Sequence, residues 1–297
     1  MEALRPPKLT IAIPLHGAER WLEGIAANVS KAPEWSRVVI SDASGLDDSA
    51  ARLTALLATD PVVSVVKRPR HLDWVSHCNL LLAEAETEFF CWLPQDDLVL
   101  SDDYFERLVD LLRDDPEAVL AFPNVHAVFG RGRIRRRPEF ISRLVGSTGS
   151  DPLRFRAAEP EALFESRRLG IPWRGVFRRE RSRPMPPIEA GTSSDVVWIF
   201  SMLLSGDIVE VTDALYLKRW HRESATYRMG GSSLESIGPL LRNEMEARHL
   251  NSDFDRERIL ADSERYIELR RESQPREPGI AGKALRRLAN EPLPFFE

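Results

Sequence analysis

The sequence has 297 residues, enough for one large domain or two small ones with a substantial core. Hydrophobic residues make up 43%, charged residues 29%, and the net charge is −5, which excludes a mostly disordered chain and a uniformly basic nucleic-acid-binding protein. The sequence contains no run of about 18 consecutive apolar residues, so we expect no membrane-spanning helix within it. The N-terminus lacks a signal-peptide core, and two cysteines are too few for a disulfide framework, so we expect a cytoplasmic protein.

The first 125 residues alternate between short apolar runs and segments whose apolar side chains recur at helical spacing. Such alternation is typical of a mainly parallel sheet whose strands are joined by right-handed helical crossovers. The predicted strands are 9–14, 38–40, 62–66, 89–93 and 119–122, and the predicted helices are 21–29, 46–57, 75–85 and 104–112.

Polar side chains stand just after the first, second and fourth of these predicted strands. The first strand leads to His16, the second ends in Asp42 and Ser44, and the fourth is followed by Asp96 and Asp97. Ligands of open α/β sheets bind outside the carboxyl ends of the strands. We therefore expect the three clusters to converge in space and to form a binding site.

The remainder of the chain is less regular. Between residues 130 and 156 arginines outnumber acidic residues, which indicates either a solvated surface loop or a basic rim that attracts an anionic substrate. Further on, the pattern predicts strands at 175–178, 208–211 and 215–220, a helix at 194–204, and a charged, helical tail after residue 231.

Several common catalytic motifs are absent, including the glycine-rich dinucleotide and P-loop patterns, H-E-x-x-H and G-x-S-x-G. The adjacent carboxylates of Asp96 and Asp97 repel each other unless water or a cation neutralises them. A divalent cation held by carboxylates and substrate phosphates is one solution, and a helix cap or a solvated pair is the alternative.

Seven segments between residues 8 and 228 resemble, in order, the motifs of family 2 glycosyltransferases, which have the GT-A fold. The resemblance implies an α/β protein with a Rossmann-like, mixed, mainly parallel sheet flanked by helices and a helical C-terminal tail. The segments are 11–17 (IAIPLHG), 39–44 (VISDAS), 71–79 (HLDWVSHCN), 90–97 (FCWLPQDD), 175–179 (GVFRR), 193–195 (SSD) and 215–224 (LYLKRWHRES).

This resemblance implies metal-assisted, inverting transfer of a sugar from a nucleotide-diphosphate sugar to an acceptor hydroxyl. Asp195 would be the catalytic base, and Asp96 and His221 would bind Mg²⁺ or Mn²⁺. The residues that would bind the nucleotide sugar are Pro14, His16, Asp42, Ser44, Trp74, Asp97, Arg174 and Arg219.

The resemblance also implies a division of the chain. Residues 1–125 would be the nucleotide-sugar-binding half, 126–230 the half that binds the acceptor and supplies the base, and 231–297 a helical extension. The acceptor would be a glycan, a lipid-linked or a small molecule in bacterial polysaccharide biosynthesis, with no nucleic-acid partner. Arginines and leucines in the tail favour either a helix against the inner face of a membrane or a charged cover of the core.

Two departures from the family pattern keep other functions open. Pro94 stands at the first carboxylate position of the D-x-D motif, and Gly17 stands where asparagine is common. Loss of the carboxylate favours a non-catalytic nucleotide-sugar-binding module. A sugar-phosphate nucleotidyltransferase is the other alternative, although the 16–20 loop has one glycine and no lysine. Asp42 and Asp195 have a simpler interpretation as residues that stabilise helix N-termini.

Overall fold

The computed structural model describes residues 6–45, 47–129, 152–166, 170–186, 194–220, 237–247 and 256–273. Within these ranges nine strands form one sheet, flanked by eight helices. The strands are β1 (Leu9–Leu15), β2 (Ser36–Asp42), β3 (Val63–Lys67), β4 (Phe89–Trp92), β5 (Leu98–Val99), β6 (Ala118–Phe129), β7 (Arg154–Phe155), β8 (Val176–Arg178) and β9 (Asp207–Trp220). The helices are α1 (Leu22–Val29), α2 (Ser49–Leu56), α3 (Trp74–Ala83), α4 (Tyr104–Asp114), α5 (Ala162–Glu165), α6 (Ser194–Leu203), α7 (Ile237–Ala247) and α8 (Arg256–Ser273).

The sheet is mixed, in the order β3-β2-β1-β4-β8-β6-β9-β5, with β7 paired to β9. Strands β1 to β4 are parallel, β8 runs antiparallel to β4 and β6, and β6 and β9 are parallel to each other. The predicted α/β fold with a mixed sheet flanked by helices is therefore confirmed. Its parallel half is the part that strand–helix alternation in the sequence predicted.

The parallel half places three loops at one edge of the sheet. Leu15 at the end of β1 pairs with Asp42 at the end of β2, and the backbone N–H of Leu93, just after β4, donates to the Ala12 carbonyl. Strands β1 and β4 are almost completely buried because helices cover the sheet, which explains their continuous apolar runs. The loops that follow β1, β2 and β4 consequently lie side by side.

The second half differs from the prediction in the length of its strands. Strands predicted at 208–211 and 215–220 are one strand, β9, which pairs with β6 through a register shift between Pro123 and Asn124. Gly175 precedes β8, and a Cβ atom there would lie 2.1 Å from the Ala121 carbonyl oxygen, so only glycine fits. Of the arginine-rich segment, 130–151 lies outside the described residues, and Arg154 pairs with Asp115 and Asp207.

The C-terminal helices in the described ranges pack against other helices. Helix α7 packs against α6, and α8 packs against α7 and α5, where Arg258 binds Glu161 and Glu165. None of the helices in the described ranges is long and apolar enough to cross a bilayer. Residues 274–297 lie outside the described part of the chain, so membrane contact by the tail stays a prediction.

Candidate functional site

The loop after β2 leaves one buried carboxylate oxygen without a partner. The Oδ1 atom of Asp42 accepts hydrogen bonds from the backbone N–H and hydroxyl of Ser44, at 2.9 and 2.7 Å, and from the N–H of Gly45. Its Oδ2 atom is buried and accepts no hydrogen bond within the described part of the chain. Asp42 therefore shapes this turn rather than capping α2, which begins at Ser49, so the helix-capping interpretation is wrong. The unused oxygen is available to a ligand donor.

A buried network supports this loop from below. The Arg68 guanidinium donates to the Ser41 hydroxyl at 2.9 Å, and Nε2 of His77 lies 2.9 Å from the same oxygen. Burial, with the positive charge of Arg68, lowers the pKa of His77 to about 4. The imidazole is consequently neutral at pH 7. Arg68 also supports the loop directly, because its backbone N–H donates to the Asp42 carbonyl at 2.7 Å.

Gln95 ties the loop after β1 to the acidic segment. Its side-chain carbonyl accepts the His16 backbone N–H at 2.7 Å, and its amide group donates to the His16 carbonyl at 3.0 Å. The neighbouring Gly17 has φ of 62°, a left-handed conformation that glycine and asparagine both tolerate, which accounts for glycine at this family position. The His16 ring is exposed and lies 5.7 Å from the ring of His71.

The two adjacent aspartates of the acidic segment have different environments. Asp97 is buried, and its Oδ2 accepts from the Arg174 guanidinium and the Tyr216 hydroxyl, both at 3.0 Å. Its Oδ1 accepts the backbone N–H of Arg219 at 2.9 Å. Burial raises the pKa of the Asp97 carboxyl, and the Arg174 guanidinium opposes that rise. Asp96 is only half-buried, so of the two it is the more exposed to solvent.

Asn28 and Tyr104 support the ion pair between Asp97 and Arg174. The sequence analysis did not predict this role for either residue. The Asn28 side chain donates to the Asp97 carbonyl at 3.0 Å and accepts the Val99 N–H at 2.8 Å, while the Tyr104 hydroxyl donates to the Arg174 carbonyl at 2.7 Å. These partners are about 70 residues apart in sequence and follow no local spacing rule. Only the folded sheet brings them together.

Asp195 lies beside the Asp97–Arg174 pair. The Arg174 guanidinium donates to the Gly170 carbonyl at 2.7 Å, and a Cβ atom at Gly170 would lie 3.8 Å from Oδ2 of Asp195. Burial acts against the charged form of Arg174, but Asp97 and, more weakly, Asp195 raise its pKa above the ordinary value. Asp195 is half-buried in the first turn of α6, where its Oδ1 accepts the Val196 N–H at 2.9 Å.

The remaining predicted site residues are more dispersed. Pro14 is half-buried in β1, and Trp74 begins α3 with its ring edge-on to Trp173, at 6.1 Å between centroids. The Arg219 guanidinium lies over the ring of Trp21, 5.5 Å from its centroid, while its backbone binds Asp97. The predicted metal ligand His221 lies outside the described residues.

The carboxylates described at this edge offer a sparse set of metal ligands. Among the described residues no group of three or more His, Cys, Asp or Glu side chains could hold an ion. Pro94 supplies no carboxylate, and Asp97 is enclosed by protein donors, so Asp96 is the candidate ligand. One carboxylate with diphosphate oxygens suits Mg²⁺, which usually keeps several waters.

Comparison with known proteins identifies the family. The profile of Glycosyl transferase family 2 matches residues 10–180, and no curated protein matches the sequence. S. aureus TarS 1–349 in complex with UDP-GlcNAc has a similar structure, with a TM-score of 0.65 and 16% identity over 87% of this chain and 72% of that chain.

A second similar structure is the mannosyltransferase PcManGT from Pyrobaculum calidifontis in complex with GDP-Man and Mn²⁺. Its TM-score is 0.56, with 13% identity over 96% of this chain and 80% of that chain. At such low identity these likenesses establish the fold alone. The family profile spans more than half of the sequence, and the chain therefore belongs to glycosyl transferase family 2 and is a glycosyltransferase with the GT-A fold.

Proposed function

We propose that the enzyme transfers a sugar from a nucleotide-diphosphate sugar to an acceptor hydroxyl, at a site to which Asp42, Asp96 and Asp195 contribute. The observation that carries this proposal is the buried Oδ2 of Asp42, which has no partner among the described residues, because a carboxylate oxygen there suits an N–H donor of a nucleotide base. The fold likeness to structures bound to UDP-GlcNAc and to GDP-Man supports a nucleotide-sugar donor.

In this proposal Asp195 is the general base. Its backbone hydrogen bond through Oδ1 fixes the carboxylate, and Oδ2 is the atom that would take the proton of the acceptor hydroxyl. Direct attack by that hydroxyl on the anomeric carbon would invert its configuration and release the nucleoside diphosphate. Arg174 lies between Asp195 and Asp97, so it links the proposed base to the acidic segment.

Asp97 has a supporting role in the same scheme. Its two oxygens are bonded to Arg174, Tyr216 and the Arg219 backbone, so it positions these groups rather than binding the donor itself. Asp96, with His221, would hold Mg²⁺ or Mn²⁺, and such an ion would neutralise charge on the diphosphate leaving group. The acceptor would be a glycan, a lipid-linked or a small molecule, in polysaccharide biosynthesis on the cytoplasmic side of a bacterial membrane.

The test compares Asp195→Asn with the wild-type enzyme in a transfer assay with UDP-GlcNAc and GDP-Man over a panel of acceptors. We expect turnover to fall by about 10²- to 10⁴-fold, because a general base contributes about that much. Binding of the sugar nucleotide, measured by calorimetry, should stay the same. Asp213→Asn is the matched control, since Asp213 is an exposed carboxylate bonded to Arg107.

Normal turnover of Asp195→Asn would refute the assignment of the base. A wild-type enzyme that binds none of these donors and transfers no sugar would refute the proposed function itself. Release of pyrophosphate from a nucleoside triphosphate and a sugar phosphate would instead identify a nucleotidyltransferase. The anomeric configuration of the product, read by NMR, tests the inversion.

A further inference from the structure

Four tryptophans form a contiguous cluster beneath the candidate site. The ring of Trp173 stacks on Trp92, with centroids 5.6 Å apart and planes 11° apart, and Trp74 meets Trp173 edge-on. Trp198 meets Trp92 edge-on at 4.9 Å. Trp92, Trp173 and Trp198 are buried, and Trp74 is half-buried.

The indole N–H groups of this cluster fall into two classes. Trp92 donates to the Cys78 carbonyl at 3.3 Å, and Trp198 donates to the Ser182 hydroxyl and the Arg183 carbonyl at 3.0 and 3.1 Å.

The Nε1 atoms of Trp74 and Trp173 are also buried, but neither has a hydrogen-bond partner in the described ranges. A buried donor without a partner destabilises a free protein, and most native structures avoid it. Two such donors on rings in mutual contact indicate that a ligand supplies their acceptors.

The chain segments that carry the two rings adjoin groups that the proposed function assigns to the donor and to the support of the base. The N–H of Leu72, two residues before Trp74, donates to the Ala43 carbonyl in the Asp42 loop at 3.2 Å. Trp173 immediately precedes Arg174, whose guanidinium binds Asp97. The sugar of a donor bound in this way would lie between its nucleotide and the catalytic base, close to the segments that carry these two indoles.

We infer that the indole N–H groups of Trp74 and Trp173 donate hydrogen bonds to hydroxyl or carbonyl oxygens of the transferred sugar, and that they help to select it. An indole N–H only donates, and its aromatic surroundings suit a neutral oxygen on an otherwise apolar sugar face. This inference rests on the proposed function, and it adds a specificity-determining pair to it.

The test uses Trp74→Phe and Trp173→Phe, which retain an aromatic ring but remove the N–H. Calorimetric titrations compare UDP with UDP-GlcNAc, and GDP with GDP-Man, for each protein. We expect the variants to bind the nucleoside diphosphate within about twofold of the wild type and the matching sugar nucleotide about three- to tenfold more weakly, as for loss of one neutral hydrogen bond. Their melting temperatures should fall less than that of Trp198→Phe, because the smaller ring leaves a void in each protein but these two lose no protein hydrogen bond in the described ranges.

Trp198→Phe is the matched control, because its N–H already binds Ser182 and Arg183. It should lower the melting temperature and leave the ratio of sugar-nucleotide to diphosphate affinity unchanged.

The inference is overturned if Trp74→Phe and Trp173→Phe bind sugar nucleotides as the wild type does. It is also overturned if they lose affinity equally for diphosphate and sugar nucleotide, or if only the KM of the acceptor changes. A wild-type protein that binds none of the four probes would instead count against the proposed function.

Discussion

Asp42 and Asp97 are both buried carboxylates at the same edge of the sheet, but the protein satisfies them to different degrees. Both oxygens of Asp97 accept hydrogen bonds from protein groups. One oxygen of Asp42 accepts bonds within its own loop, and the other has no partner among the described residues. A carboxylate whose bonding capacity is filled by the protein belongs to the scaffold, whereas unfilled capacity indicates a ligand. Substitutions should therefore affect stability at Asp97 and binding at Asp42.

The largest effect is expected from Asp97→Asn. This change removes the negative charge beside the buried Arg174 guanidinium, and an uncompensated buried charge costs about 3–5 kcal/mol in free energy of unfolding. Chemical denaturation monitored by circular dichroism measures the loss.

Asp96→Asn is the neighbouring control, because Asp96 is half-buried and should change the free energy of unfolding by less than about 1 kcal/mol. Equal losses at the two positions would show that Asp97 is not the anchor of the acidic segment.

The sequence and the structure agree best where contacts are local. Strand β2 and the loop from Asp42 to Ser44 could be predicted from the sequence, because an apolar run ends in polar residues at the carboxyl edge of a parallel sheet. The hydrogen bonds that support Asp97 could not be predicted, because the groups involved are distant in sequence. Asn28 and Tyr216 bond to Asp97 itself, and Tyr104 bonds to its partner Arg174. The family resemblance assigned Asp97 to nucleotide-sugar binding, because no local pattern shows that protein groups bond to both of its carboxylate oxygens.

Strand β9 shows a second limit of prediction from sequence. Polar residues at 212 and 213 interrupt its apolar pattern and suggested a break between two strands. In the structure the strand continues through a register shift against β6, because pairing with a long partner offsets a local interruption. Tertiary pairing of this kind leaves no periodic signal in either strand alone.

The support of the Asp42 loop should depend on pH through His77. Its pKa is about 4 in the folded protein, against about 6.5 when unfolded, so between these values only the unfolded chain takes up the proton. The contribution of His77 to stability is therefore complete above pH 6.5 and is lost as pH falls towards 4, by about 3 kcal/mol in total.

Denaturation curves at pH 4 to 7 measure this loss, and His77→Gln is the control, because glutamine can still bond to Ser41 but does not titrate. The variant should show a shallower dependence of the free energy of unfolding on pH than the wild type. If the free energy of unfolding depended on pH equally in the two proteins, titration of His77 would be ruled out as the source of the pH dependence.

The smallest effect on stability, and a clear effect on binding, is expected from Asp42→Asn. The asparagine carbonyl can replace Oδ1 towards Ser44, which leaves an NH₂ group where Oδ2 stood. A ligand N–H would then face another donor, so the affinity for the preferred nucleoside diphosphate, UDP or GDP, should fall by about 10- to 100-fold in calorimetry. The free energy of unfolding should change by less than about 1 kcal/mol, because Oδ2 has no partner to lose in the part of the chain that the structure describes. Asp48→Asn, at an exposed position on the same loop, should leave both quantities unchanged. A large loss of stability without a loss of affinity would place Asp42 with Asp97 in the scaffold and would remove the distinction between the two carboxylates.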